Sequence, residues 1–178
     1  GVECVVVRDT VTLGGVIVED TRDWFAQDDD GNVWYMGEAV DEYVYDDAGN
    51  MLEITHEGSW EAGLDVAGIG ITASPGHQMP VESVEQTSYH QEWYEGVADD
   101  MAYVVSTAAT VDLPDGTRYR DCLQTLEWAP KEPAALEYKY YAPGVGLVLE
   151  VPLDAPIAES PPRTSGNAAL VRRAAGPG

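Results

Sequence analysis

Positive charge is scarce in this chain: nine Lys and Arg stand against 32 Asp and Glu, a formal net charge of -23 over 178 residues. A surface of that sign repels phosphates and anionic lipid headgroups, which excludes nucleic acid as a partner and favours small cations. Long apolar runs are also missing. No stretch approaches the roughly 18 residues of a membrane-spanning helix, and no basic-then-apolar leader precedes Val2. The chain begins without Met, as a processed protein or a fragment of a longer one would. Only two cysteines are present, Cys4 and Cys122, and their separation excludes the paired spacing of a zinc ribbon. Both lie in apolar, strand-like segments. Two alternatives stand open for them: a bridge tying the first strand to a late one, or two separate buried thiols.

What is abundant is β-forming sequence. Hydrophobic residues make up 44% of the chain, with ten Tyr and five Trp, enough for the core of one domain. Residues 2–13, rich in Val and Thr, lead through Gly14 and Gly15 into 16–27, a long hairpin. Residues 32–38 form the next strand. Another hairpin turns at Asp46, Asp47, Ala48, Gly49 and Asn50 between Tyr45 and the strand at 51–57. Further strands are expected at 87–94, 101–113, 117–128, 136–141 and 146–151. No stretch shows a 3.6-residue apolar period. The expectation is an all-β antiparallel meander of about ten strands curled into a barrel or half-barrel over residues 1–154. One long irregular loop, residues 58–86, interrupts it, and loops of that length in compact folds are often binding loops or lids. Residues 155–178 are rich in Pro, Ala, Ser, Gly and Arg and are expected to be a flexible tail. All 32 acidic residues lie at or before Glu159, so the tail is basic and the body more acidic than the total suggests.

Several segments carry a resemblance. Asp23-Trp24-Phe25-Ala26-Gln27, the stretch from Gly31 through Trp34 to Glu38, Gly58-Ser59-Trp60-Glu61-Ala62-Gly63 and Gln91-Glu92-Trp93-Tyr94-Glu95-Gly96 together resemble a group of bacterial secreted proteins and lipoproteins. The stretch Tyr140-Tyr141-Ala142-Pro143-Gly144 through Val148 is similar to the closing hairpin of extracytoplasmic half-barrel proteins that hold lipid-like molecules. The resemblance implies export, to a secreted, periplasmic or lipoprotein-anchored location, and a concave face for an apolar ligand. It implies no catalyst. This chain departs from the pattern at His77, at His90 and in the lengthened stretch 66–75.

Those departures bear on chemistry, because the only three histidines, His56, His77 and His90, all fall within or beside the irregular segment. If the strands flanking it are neighbours, three imidazoles converge as ligands of Zn2+ or another divalent metal, with water in the open position. Glu92, two residues beyond His90 and on the same strand face, is then a general base or fourth ligand, with Asp99 and Asp100 orienting an imidazole. Such a centre would hydrolyse a small ester or phosphoester. The competing expectation is non-catalytic binding of a lipid-like or other apolar ligand by Trp24, Trp34, Tyr35, Trp60, Trp93 and Tyr94. Ca2+ is the weaker cation candidate: Asp28, Asp30 and Asn32 have the first spacings of a calcium loop, but Val33 and Ala39 stand where Gly and Glu are needed. A turn rich in Asp explains them better. No nucleophile elbow or phosphate-cradling loop is present.

Overall fold

The computed structural model describes residues 1–130, 132–153 and 171–172; most of the tail expected at 155–178 lies outside the described residues. Among them there are twelve strands and no helix: β1 (Val5–Leu13), β2 (Val16–Gln27), β3 (Val33–Tyr45), β4 (Met51–Thr55), β5 (Trp60–Glu61), β6 (Gly76–Met79), β7 (Ser88–His90), β8 (Met101–Asp112), β9 (Arg118–Ala129), β10 (Glu132–Ala142), β11 (Gly146–Pro152) and β12 (Val171–Arg172). The fold is all-β, and every pairing among these strands is antiparallel. The chain divides into two compact units. The first holds Gly1–Met79, Glu92–Ala98 and β12; the second holds Pro80–Gln91 and residues 99–153. Neither sheet closes on itself among the described residues, so no closed barrel forms.

In the first unit the order is β12-β1-β2-β3-β4, with β5 and β6 also on β3. Paired with β2 through Ala39, Val40, Asp41 and Glu42, β3 runs on past the strand expected at 32–38 to Tyr45. The chain returns along it in three instalments. β4 pairs with Glu42 to Tyr45, β5 with Gly37 and Glu38, and β6 with Val33 to Tyr35. β5 comes so close that a Cβ on Gly37 would lie 2.4 Å from the Trp60 carbonyl oxygen and 2.8 Å from Glu61 Cα. Only glycine fits there, and its φ of 140° also disfavours other side chains. That approach seats Trp60 against Tyr35, edge-on at 5.4 Å between ring centroids, with Phe25 stacked on Tyr35 at 4.8 Å. Tyr35, Trp60, Ala73, Tyr94 and Ala98 form the buried cluster of this unit.

The second unit is a five-stranded sheet in the order β11-β10-β9-β8-β7. Val111, Cys122 and Ala142 form one buried cluster. Nearby strands also bury polar groups. Glu127 is buried, accepts hydrogen bonds from the Thr125 hydroxyl at 2.6 Å and the Tyr141 hydroxyl at 2.9 Å, and lies 3.3 Å from Lys139 Nζ. Cys4 and Cys122 are both free, so of the two alternatives for the cysteines it is the separate thiols that form. Burial raises the pKa of each thiol, with lesser contributions from Glu61 and Asp121 respectively, which keeps both in the inert protonated form.

Candidate functional site: the apolar loop at residues 63–73

The insertion between β5 and β6 is not structureless. Gly63 N–H donates to Ala73 O at 3.0 Å and Ala73 N–H donates to Leu64 O at 3.0 Å, closing the neck. The result is a compact Ω-loop whose ends meet. Inside it, Asp65 accepts from Ile69 N–H at 2.9 Å and Gly70 N–H at 2.8 Å. The buried Tyr94 hydroxyl donates to Asp65 Oδ1 at 2.7 Å and accepts from Ala67 N–H at 3.1 Å. Gly63, Gly68 and Gly70 all take positive φ, which lets the chain reverse three times in eleven residues. Tyr94 is itself fixed, through main-chain bonds with Ala98 and the neighbouring bridge between Ser74 and Trp93.

The same loop leaves its apolar side chains exposed. Leu64 is 49% exposed, Val66 50%, Ile69 49% and Ile71 38%. Four large exposed aliphatic residues on one short loop, held in place by the bonds of Asp65 and Tyr94, make an apolar surface of the kind that often marks a binding site. The Asp65 carboxyl is held below its usual pKa, first by the Tyr94 hydroxyl and then by the Gly70 amide. Tyr94 is pushed up, by burial and then by Asp65. The pair therefore stays an ionised acceptor and a neutral donor through neutral pH.

The histidines have separate surroundings. His77 lies opposite Trp34, with ring centroids 3.9 Å apart. His56 Nδ1 is 2.9 Å from Val40 O and 3.0 Å from Asp41 Oδ1. Trp34 and Val40 are six residues apart on β3, about 20 Å along an extended strand, so His56 and His77 meet different stretches of it. His90 belongs to the second unit, where Nδ1 is 3.2 Å from Asp99 Oδ1. Among the described residues no group of three or more His, Cys, Asp and Glu is arranged to hold a metal ion.

Glu92 is buried in the first unit, close enough to Tyr35 to contribute to the raised pKa of that phenol. Burial is the largest cause of that shift, followed by Glu38 and Asp23. The Tyr35 hydroxyl is 2.5 Å from Asp23 Oδ1 and 3.1 Å from Glu38 Oε2. One hydroxyl faces two carboxylates. The calcium-like spacing also resolves as a turn: Asp28 accepts from Asp30 N–H, Asn32 N–H, the Asn32 amide and the Trp34 indole, which occupies both of its oxygens.

Neither a family model, a curated protein nor a solved structure matches the chain. Of the six aromatic residues expected to face a ligand, Tyr35, Trp60 and Tyr94 are core. The surface that replaces them was signalled in the sequence by Leu64, Val66, Ile69 and Ile71, four aliphatic residues set among glycines where a solvated loop would be polar.

Proposed function

We propose that this chain is a non-catalytic, extracytoplasmic binding module that engages a neutral or cationic lipid-like molecule through the apolar loop at residues 63–73. The observation that carries this reading is the contrast within the loop: Asp65 and Tyr94 fix its main chain, while Leu64, Val66, Ile69 and Ile71 stay exposed. A loop already ordered loses little conformational entropy on binding. The net charge of -23 disfavours anionic headgroups, which sets the ligand's sign. An open surface loop needs no closed barrel around the ligand, and the separate positions of His56 and His77 leave a hydrolytic metal centre out of this reading.

Titration calorimetry with a neutral dodecyl-chain amphiphile below its micelle concentration tests the proposal. Ile69→Asp, at an exposed position, is expected to change stability by less than about 0.5 kcal/mol and to weaken binding about tenfold or more, since burial of one aliphatic side chain is worth roughly 1.5 kcal/mol or above. Tyr94→Phe removes the loop's anchor without adding a charge and is expected to weaken binding too. If both variants bind as the parent does, the loop is not the site.

A further inference from the structure

A separate feature of the first unit points to a second kind of partner. β4 is the last strand on one margin of the sheet, so a row of its main-chain N–H and C=O groups has no strand beside it among the described residues. Such margins invite pairing by another strand, and proteins usually guard them with Pro, Lys or inward charge. Met51–Thr55 contains no Pro and no Lys, and Met51, Leu52 and Ile54 are exposed, Leu52 by 63%. Its chemistry is acidic throughout. Glu53 lies within it, Glu42 lies opposite Thr55 and accepts its hydroxyl at 3.0 Å, and Asp46, Asp47 and Glu57 flank it. Arg22 on β2 and His56, just past β4, both face Asp41, at 3.5 and 3.0 Å.

The other margin shows how this sheet accepts a strand. β12 pairs antiparallel with β1, Val5 opposite Arg172 and Val6 opposite Val171. By sequence that added strand is apolar and basic, and Arg173 follows it.

We infer that the β4 margin is a docking site for an extended segment of a partner protein in which apolar residues alternate with Lys or Arg. Main-chain bonds to β4 supply the pairing, Leu52 and Ile54 meet the apolar residues, and Glu42, Glu53 and Glu57 meet the cations. A second copy of this chain fits poorly there, because two β4 margins would oppose the same carboxylates. This site is independent of the loop at residues 63–73.

The test uses the full chain and a fluorescent peptide of alternating lysine and valine, read by anisotropy. Saturable binding is expected, weakened about tenfold or more by N-methylation of alternate peptide amides, which keeps the charge and removes the main-chain donors. Ile54→Lys is expected to weaken it equally while leaving the unfolding midpoint and binding of the dodecyl amphiphile unchanged. Equal binding of the N-methylated peptide would reduce the contact to plain electrostatics and overturn the inference. So would failure of the parent chain to bind, or a dimer in sedimentation that Ile54→Lys dissolves.

Discussion

At the scale of single residues, one device recurs. Asp-x-x-Gly-Asn appears at Asp28 to Asn32 and again at Asp46 to Asn50, and in both the first residue's N–H donates to the Asn carbonyl while the Gly N–H donates back to the Asp carbonyl. The Asp side chain caps the turn in each case. Leu113 to Thr117 closes with the same pair of main-chain bonds. Asp28, accepting from Asn32 and Trp34, is held down to about 2. Asp65 repeats the device inside the loop and is shifted the same way. A carboxyl whose folded pKa lies below its unfolded value of about 3.9 contributes stability that is fully present above that value and lost as pH falls through the folded value. Amphiphile affinity is therefore expected to hold from neutrality to about pH 5 and to decline below about pH 4, with Asp65→Asn weaker at neutral pH and nearly flat across that range. An Asp65→Asn profile parallel to the parent's would separate the loop's order from this carboxylate.

These turns were legible in the sequence because Asp, Asn and Gly act locally. The role of Gly37 was not, since it depends on Trp60 and Glu61 arriving from 23 and 24 positions later. The placing of the histidines was hidden for a related reason. His56 and His77 both reach β3, but nearness in sequence does not tell which part of β3 each meets.

At the scale of elements, alternation and turn chemistry located every long strand and, within the stretch expected at 87–94, the short β7, whereas β5 and β6 escaped because two and four residues carry no period. The central strands of the second unit hold an ion cluster that strand patterning does not announce. Lys139 Nζ lies 3.3 Å from Glu127, 3.1 Å from Glu137 and 3.7 Å from Glu150, drawing carboxylates from three strands. Burial lowers the Lys139 pKa, but Glu127, Tyr141, Glu137 and Glu150 outweigh it and hold it well above the ordinary lysine value. Removing the cation leaves three carboxylates facing one another. Lys139→Met is expected to destabilise by about 2 kcal/mol, short of the scale for a fully buried pair because the Lys139 side chain is 23% exposed. The alkaline limb has a definite sign. Lys139 contributes stability that is present below its unfolded pKa and lost as pH rises toward the folded one. Tyr35, Tyr89 and Tyr141, all raised chiefly by burial, stay neutral in the fold while the unfolded chain ionises above about pH 10. Urea midpoints are thus expected to fall steeply above pH 10, and less steeply for Lys139→Met. An alkaline limb unchanged by that substitution would contradict the role given to Lys139.

At the scale of the molecule, composition announced an acidic, β-rich protein, and that much is observed. The division into two compact units was not visible, because residues 92–98 leave the second unit's stretch of chain to bridge with Ser74 and to anchor the loop through Tyr94. No helix of the described residues is long and apolar enough to cross a membrane. A second set of exposed apolar residues, Leu13, Val16, Ile17, Met51, Leu52 and Ile54, sits where two hairpins of the first unit turn at the same end of the sheet, and it is the natural competitor for an apolar ligand. Amide hydrogen exchange of the full chain, with and without the neutral dodecyl amphiphile, decides between them. Binding at the loop predicts new protection at residues 63–73 and none at residues 13–17 or 51–54; protection confined to the hairpin end, or none at the loop, would contradict it.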